Sequence, residues 1–122
     1  MRTDTTASVS THVLDTAAGR PAAGVAVTLS ARRGPRAAWV EIGASATGPD
    51  GRCQDLPPLP AGTVHARLDF ATGPHLAREH PGTDPFLPFF PEAAVTFAVV
   101  AGEHYHVPLL LSPFGYSVYR GS

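Results

Sequence analysis

Prolines and glycines interrupt this chain at such short intervals that long helices have no room to form: there are thirteen of the former and twelve of the latter in 122 residues. Proline removes a backbone N–H and clashes with the preceding turn, and glycine lowers helix stability through backbone entropy. Between these breaks lie short runs in which apolar residues recur at every second position, the period of a strand with one face in a core. Ser8 to Asp15 reads as a first strand, with Val13 on one face and His12 and Leu14 on the other. Val25 to Ala31 turns Val25, Val27 and Leu29 inward, and Trp39 to Ser45 makes a third strand. Ala17 to Pro21 and Thr47 to Gly51 read as loops, the second delivering Arg52 to the start of a short strand. Leu56-Pro57-Pro58-Leu59-Pro60 cannot donate a regular ladder of hydrogen bonds, so its Pro-x-x-Pro spacing marks a rigid connector.

Thr63 to Phe70 alternates again, with Val64, Ala66, Leu68 and Phe70 opposite His65, Arg67 and Asp69. Gly73 to His80 is the one helical candidate, with Thr72 as N-cap and Pro74 in its first turn. So short a helix is unstable alone and must lean on a sheet. His65, His75 and His80 are expected at the surface. Phe86 to Pro91 reads as an aromatic loop, and Glu92 to Val100 as a strand. From Glu103 onward two strands flank the turn Ser112-Pro113-Phe114-Gly115, in which proline supplies the φ of the second turn position. Alternation there puts His104, His106, Pro108 and Leu110 on one face and Tyr105, Val107, Leu109 and Leu111 on the other. The sum is eight strands and one short helix, an all-β chain that buries its alternating faces as a two-sheet antiparallel β-sandwich. Residues 1–7 are expected to be a disordered N-terminal segment ahead of one domain spanning 8–122.

Composition removes several classes of function. A formal charge of −1 offers no basic field for nucleic acid. All nine basic residues are arginine, so lysine chemistry, from Schiff bases to P-loop phosphate binding, is absent. The single cysteine, Cys53, allows no intrachain disulfide and reads as packing. No window approaches the roughly 20 apolar residues of a membrane span, and no secretory leader is evident. The expectation is a cytoplasmic protein with neither nucleic-acid nor membrane partners.

Two imidazoles on one face, His104 and His106, suit proton transfer near neutral pH, although a histidine satisfied within the fold is the plain alternative. Together with His12 they also imitate a three-histidine zinc site. Arg52 is either a surface ion-pair residue or a planar donor fork for an anionic, carbonyl-rich ligand. The closing Tyr119-Arg120-Gly121-Ser122 carries an aromatic, a guanidinium and a hydroxyl where chain ends usually carry little information, and is expected to belong to a site. No Gly-x-Ser-x-Gly elbow occurs, so Ser122 is not read as an acylating nucleophile.

His104 to Ser122, closed by Tyr-Arg-Gly-Ser, resembles the signature of the 5-hydroxyisourate hydrolase family of transthyretin-related proteins. The likeness extends to Ser10-Thr11-His12-Val13-Leu14-Asp15 and to Asp50-Gly51-Arg52-Cys53, and so covers nearly the whole chain. Residues 15–70 alone also resemble generic β-sandwich accessory domains; the outer segments carry the hydrolase likeness. The resemblance implies a transthyretin-like fold, a homotetramer with sites in the channel where dimers meet, and hydrolysis of 5-hydroxyisourate without metal or other cofactor. It implies His12, Arg52, His106 and Ser122 as catalytic residues, and His104, Tyr119, Arg120 and Gly121 as substrate contacts. The rival it leaves open is a binding protein holding a small ligand in the same channel.

Overall fold

The computed structural model describes residues 6–82 and 88–122, and two sheets enclose its core. The elements run β1 (Ser8–Asp15), β2 (Arg20–Pro21), β3 (Ala26–Arg32), β4 (Val40–Ala46), β5 (Arg52–Cys53), β6 (His65–Ala71), α1 (Gly73–Glu79), β7 (Ala93–Ala98), β8 (His104–His106), β9 (Leu109–Ser112) and β10 (Gly115–Val118). One sheet has the order β4-β3-β6-β7, antiparallel throughout. The other is built around β1. On one side β1 pairs antiparallel with β5 and β2, and on the other it pairs parallel with β8 and then β9, beyond which lies β10.

The sandwich is the expected one, with three refinements. The parallel pairing of β1 interrupts an otherwise antiparallel arrangement. The strand expected as one piece before the turn is two, β8 and β9, because Pro108 has no N–H to give the ladder. The neighbouring groups compensate: Val107 N–H donates to Ser10 O (2.9 Å) and the buried Thr11 hydroxyl donates to Val107 O (2.6 Å). Arg20–Pro21, read as loop, forms a two-residue strand against Leu14 and Asp15.

The inward faces are those that alternation selects. Val13, Val27, Leu29, Leu68, Phe70, Leu109 and Leu111 are fully buried and pack as one cluster with Val9, Tyr105 and Val107. Leu56 and Leu59 of the proline-rich connector join this core, and Leu59 N–H donates to Ala7 O. Ala7 is itself buried, and Thr6 O accepts from Gly102 N–H. Residues 6 and 7 therefore belong to the sandwich and not to a disordered lead; residues 1–5 lie outside the described residues, as do 86 and 87 of the aromatic loop.

Helix α1 corrects two expectations. Thr72 stands at the N-cap position but its hydroxyl makes no cap bond; it donates to Phe90 O at 2.6 Å, tying the helix to the strand β7 approach. His75 and His80 are not surface residues. His75 is 5% exposed, and the Nε2–H groups of both rings donate to one oxygen of the fully buried Asp15 at 2.7 Å. The other Asp15 oxygen accepts from Ala18 N–H at 2.8 Å. The reason is long-range: the end of β1 lies under the helix and brings a carboxylate that both imidazoles can satisfy. His65 is likewise only partly exposed, and accepts from Arg32 Nε at 3.0 Å.

Burial alone would raise the Asp15 pKa, but the Ala18 N–H and the two imidazoles override it and hold it at about 2, against an ordinary 3.8. A carboxylate held low stabilises the fold in full above its unfolded value and loses that contribution as pH falls through its folded value. Asp15→Ala leaves three donors without their acceptor, and is expected to lower the unfolding free energy at neutral pH by about 3 kcal/mol. Urea denaturation of both proteins as a function of pH checks this: the difference should shrink as pH drops from about 4 toward 2.

Candidate active site

Along β1, Ser8, Ser10 and His12 point away from the core while Val9, Thr11 and Val13 point into it. Register supplies each outward residue with a neighbour: His104 lies opposite Ser8, His106 opposite Ser10, and Arg52 opposite His12. Three strands that are distant in sequence thus place two histidines, an arginine and a third histidine on one sheet face. The inward side of the same strands is the hydrophobic core, so the row is mounted on close-packed backbone.

His12 is oriented by the turn that precedes β5. Its Nε2–H donates to Asp50 O at 2.7 Å, which in the neutral ring leaves Nδ1 bare. The turn needs Gly51, whose φ of +79° suits glycine, and a Cβ there would stand 2.4 Å from Val13 O and 3.2 Å from the His12 ring. Arg52 follows, its N–H bonded to Asp50 Oδ1 at 3.0 Å while its guanidinium, 43% exposed, comes within 3.8 Å of Asp50 Oδ2. A loose pair of that kind leaves most of the donor fork available to a ligand.

His106 is half-buried and its ring is held from two sides. Nδ1 lies 2.8 Å from Ser10 Oγ. Gly121 flanks the ring, its N–H donating to His106 O at 2.7 Å, and a Cβ at 121 would lie 2.8 Å from His106 Cδ2. Burial first, then the charges of Arg52, His12 and His104, push the His106 pKa below the ordinary 6.5. The ring is therefore neutral, and able to accept a proton, throughout the neutral range.

His104 is exposed and bonded at both nitrogens, Nδ1 to Ser8 Oγ at 2.7 Å and Nε2 to Ser10 Oγ at 2.8 Å. Ser8 and Ser10 were not among the residues picked from sequence; the period-two series Ser8-Ser10-His12 was the available signal. Tyr119 and Arg120 stand elsewhere. The Arg120 guanidinium stacks 4.4 Å over the Tyr105 ring, on the face of β8 opposite the histidines, and lies 3.8 Å from Glu103. With Tyr119 it lines a groove of about 280 Å³ alongside Phe97, Tyr105, Val107 and Val118. Ser122 is exposed, next to Gly121.

Among the described residues the grouping with metal-ligand potential is Asp15, His75 and His80, whose ligand atoms lie within 4.8 Å of one another, and not His12, His104 and His106. The three are already joined by N–H to carboxylate bonds of 2.7 Å. A metal on His75 Nε2 would oblige the opposite Nδ1 to carry a proton, and that atom is buried with no partner. The cluster fits a structural tie better than a metal centre.

A β-sandwich with an acid–base row on the outer face of one sheet is the class these observations define. Sequence comparison makes it specific: the chain belongs to the HIUase/Transthyretin family, which matches residues 9–121. It is 43% identical over 116 residues to a 5-hydroxyisourate hydrolase of Caulobacter vibrioides, covering 93% of this chain and 97% of that one. The 5-hydroxyisourate hydrolase of Klebsiella pneumoniae superposes with a TM-score of 0.73 at 34% identity, over 95% of this chain and 99% of the other. Sea bream transthyretin in complex with thyroxine gives 0.77 at 28% identity, over 93% of both. No helix among the described residues is long and apolar enough to cross a membrane.

The closeness of Gly121 to His106 yields a test. Gly121→Ala is expected to displace the His106 ring, seen as shifts of its imidazole NMR signals, while thermal unfolding changes by no more than about 4 °C because no core side chain is touched.

Proposed function

We propose that this chain hydrolyses 5-hydroxyisourate, using water to open the lactam ring to 2-oxo-4-hydroxy-4-carboxy-5-ureidoimidazoline, as a cytoplasmic enzyme of urate degradation. The observation that carries the reading is the meeting of His12, Arg52 and His106 on one sheet face, in a chain 43% identical to a protein of that activity. Water is a poor nucleophile at neutral pH, so one group must take its proton while another stabilises the negative charge that grows on the ring carbonyl. His106 is assigned the first task, since a depressed pKa keeps its ring unprotonated. His12, with Nε2 anchored on a carbonyl, has one nitrogen left for the accompanying proton transfer. Arg52, cationic at every working pH, holds the anion and stabilises the oxyanion.

Gly121 and Ser122 are assigned to the wall of the site, Gly121 by admitting the His106 ring and Ser122 by offering a hydroxyl to the substrate. Arg120 secures this segment by stacking on Tyr105, beside the groove that Tyr119 also lines. The reaction as written uses water and side chains of this chain alone, with no metal or organic cofactor.

A 5-hydroxyisourate assay, corrected for spontaneous decay, tests the reading. His106→Asn is expected to lower turnover by about 10² to 10⁴, and Arg52→Lys to weaken both binding and turnover, because a point charge cannot replace a planar fork. Since the active form of His106 is the unprotonated one and its pKa is lowered, turnover should hold level through neutral pH. It should fall only on the acid side, with an apparent pKa below 6.5. That limb should vanish in His106→Asn and persist in Arg52→Lys. Near-full activity of both His12→Asn and His106→Asn, correctly folded, would favour ligand binding of the transthyretin kind instead.

The assembly we propose is a homotetramer with the sites in the channel between dimers. Strands β7 and β10 each pair on one side only among the described residues, and Val118, Tyr119 and Phe114 near them are exposed. Bare edges with apolar side chains are normally covered by another chain. Light scattering is expected to give about four times the 12.7 kDa chain mass; a stable, fully active monomer would refute the tetramer.

A further inference from the structure

Ser10 is 5% exposed, and its hydroxyl touches two imidazoles at once, His106 Nδ1 and His104 Nε2, each at 2.8 Å. The far nitrogen of His104, Nδ1, lies 2.7 Å from Ser8 Oγ, at the accessible end of the row. A hydroxyl carries one proton. It can donate to only one of the two nitrogens, so at least one of them must bear a proton and donate to Oγ, and where the Ser10 proton goes to the other nitrogen, that one is bare. The two rings cannot choose their tautomers independently.

We propose that Ser10 is a positioning residue that sets which nitrogen of His106 is protonated, and that His106, Ser10, His104 and Ser8 form a proton path from the site to solvent. This rests on the hydrolase reading of His106. In the arrangement ready for catalysis, His106 Nδ1–H donates to Ser10 Oγ, Ser10 O–H donates to His104 Nε2, and His104 Nδ1–H donates to Ser8 Oγ. His106 Nε2 is then bare. When it takes the proton of the attacking water, the Nδ1 proton passes to Ser10 Oγ, the Ser10 proton to His104 Nε2, and the His104 Nδ1 proton to Ser8 Oγ. Ser8 gives its own hydroxyl proton to solvent. Every atom keeps its normal valence, and one proton has left the site for each one accepted.

The arrangement answers an electrostatic difficulty of the site. A lasting imidazolium at His106 is opposed by burial and by Arg52, His12 and His104, the charged and titratable neighbours on β5, β1 and β8. Passing the Nδ1 proton outward lets His106 act as a base and return to a neutral ring, with the charge carried past exposed His104 and out to solvent. On this account His104 works through Ser10 rather than by touching the substrate.

Nitrogen-15 imidazole NMR of the intact protein, with steady-state kinetics of Ser10→Ala and Ser10→Thr, tests the inference. His106 Nδ1 and His104 Nε2 are expected to report opposite protonation, and Ser10→Ala to abolish that correlation. The same variant should lower kcat about tenfold, the scale of one lost hydrogen bond in the transition state, with KM nearly unchanged and the acid limb displaced. Ser10→Thr, which keeps the hydroxyl on a β-branched residue suited to a strand, should restore both. Like protonation of the two nitrogens, or kinetics and pH profile of Ser10→Ala matching the parent, would overturn the inference while leaving the hydrolase reading intact. Opposite tautomers in a protein without any turnover would sink the hydrolase reading and leave the tautomer coupling standing.

Discussion

The parallel pairing of β1 with β8 and β9 is the contact on which the site depends. It sets Ser8 against His104 and Ser10 against His106, and a slip of one residue would turn the whole row into the core. Such a slip is opposed from both sides. Val9, Val13, Tyr105, Val107, Leu109 and Leu111 are buried together, so the wrong register would expose apolar groups and bury imidazoles. At the break made by Pro108, the Thr11 hydroxyl and the Ser10 carbonyl catch the backbone of Val107 and fix the alignment locally. The hydrophobic core thus does two things with one set of strands: it holds the sheets together, and it decides which residues meet on the outside.

Much of this could be read from residues alone, and the limits have physical causes. Alternation identified the inward faces of β1, β3, β6 and β9, because period two is a local property of a half-buried strand. His12, Arg52 and His106 were picked out as candidates by a combination of residue type and motif likeness. Ser8 and Ser10 were passed over because serine is common on exposed faces; their meaning comes from the rings opposite, and parallel register between segments so far apart leaves no local trace. The same cause accounts for His75 and His80. Two helix histidines look solvent-facing until Asp15, sixty positions earlier, is brought beneath them. Arg120 shows a different limit, since a strand end can turn its side chain to either face, and the aromatic ring of Tyr105 captured it.

The two polar clusters of this domain differ in kind. Around Asp15 the donors converge on a buried carboxylate and every bond strengthens the same charge state, which suits a fixed joint between β1 and α1. Around Ser10 the partners are two imidazoles and a hydroxyl, each able both to give and to accept, which suits exchange. Asp15 and Ser10 lie on one strand, on opposite faces and near opposite ends. A single eight-residue segment therefore serves as anchor at one end and as the mount for the proposed acid–base row at the other.

The distance along the chain between the halves of the site has a bearing on how the molecule comes into being. Ser10 and His106 are 96 positions apart, so nearly the whole polypeptide must close as a loop before His106 joins the row on β1, whereas Arg52 meets His12 after a much shorter closure. The β3, β4, β6 and β7 sheet needs shorter closures and can organise first, whereas one edge of β1 must wait for β8 and β9, synthesised last. During synthesis, β1 can gain β2 and β5 on one edge early, but its other edge stays uncovered until β8 and β9 arrive, which leaves that edge in need of protection from other nascent chains.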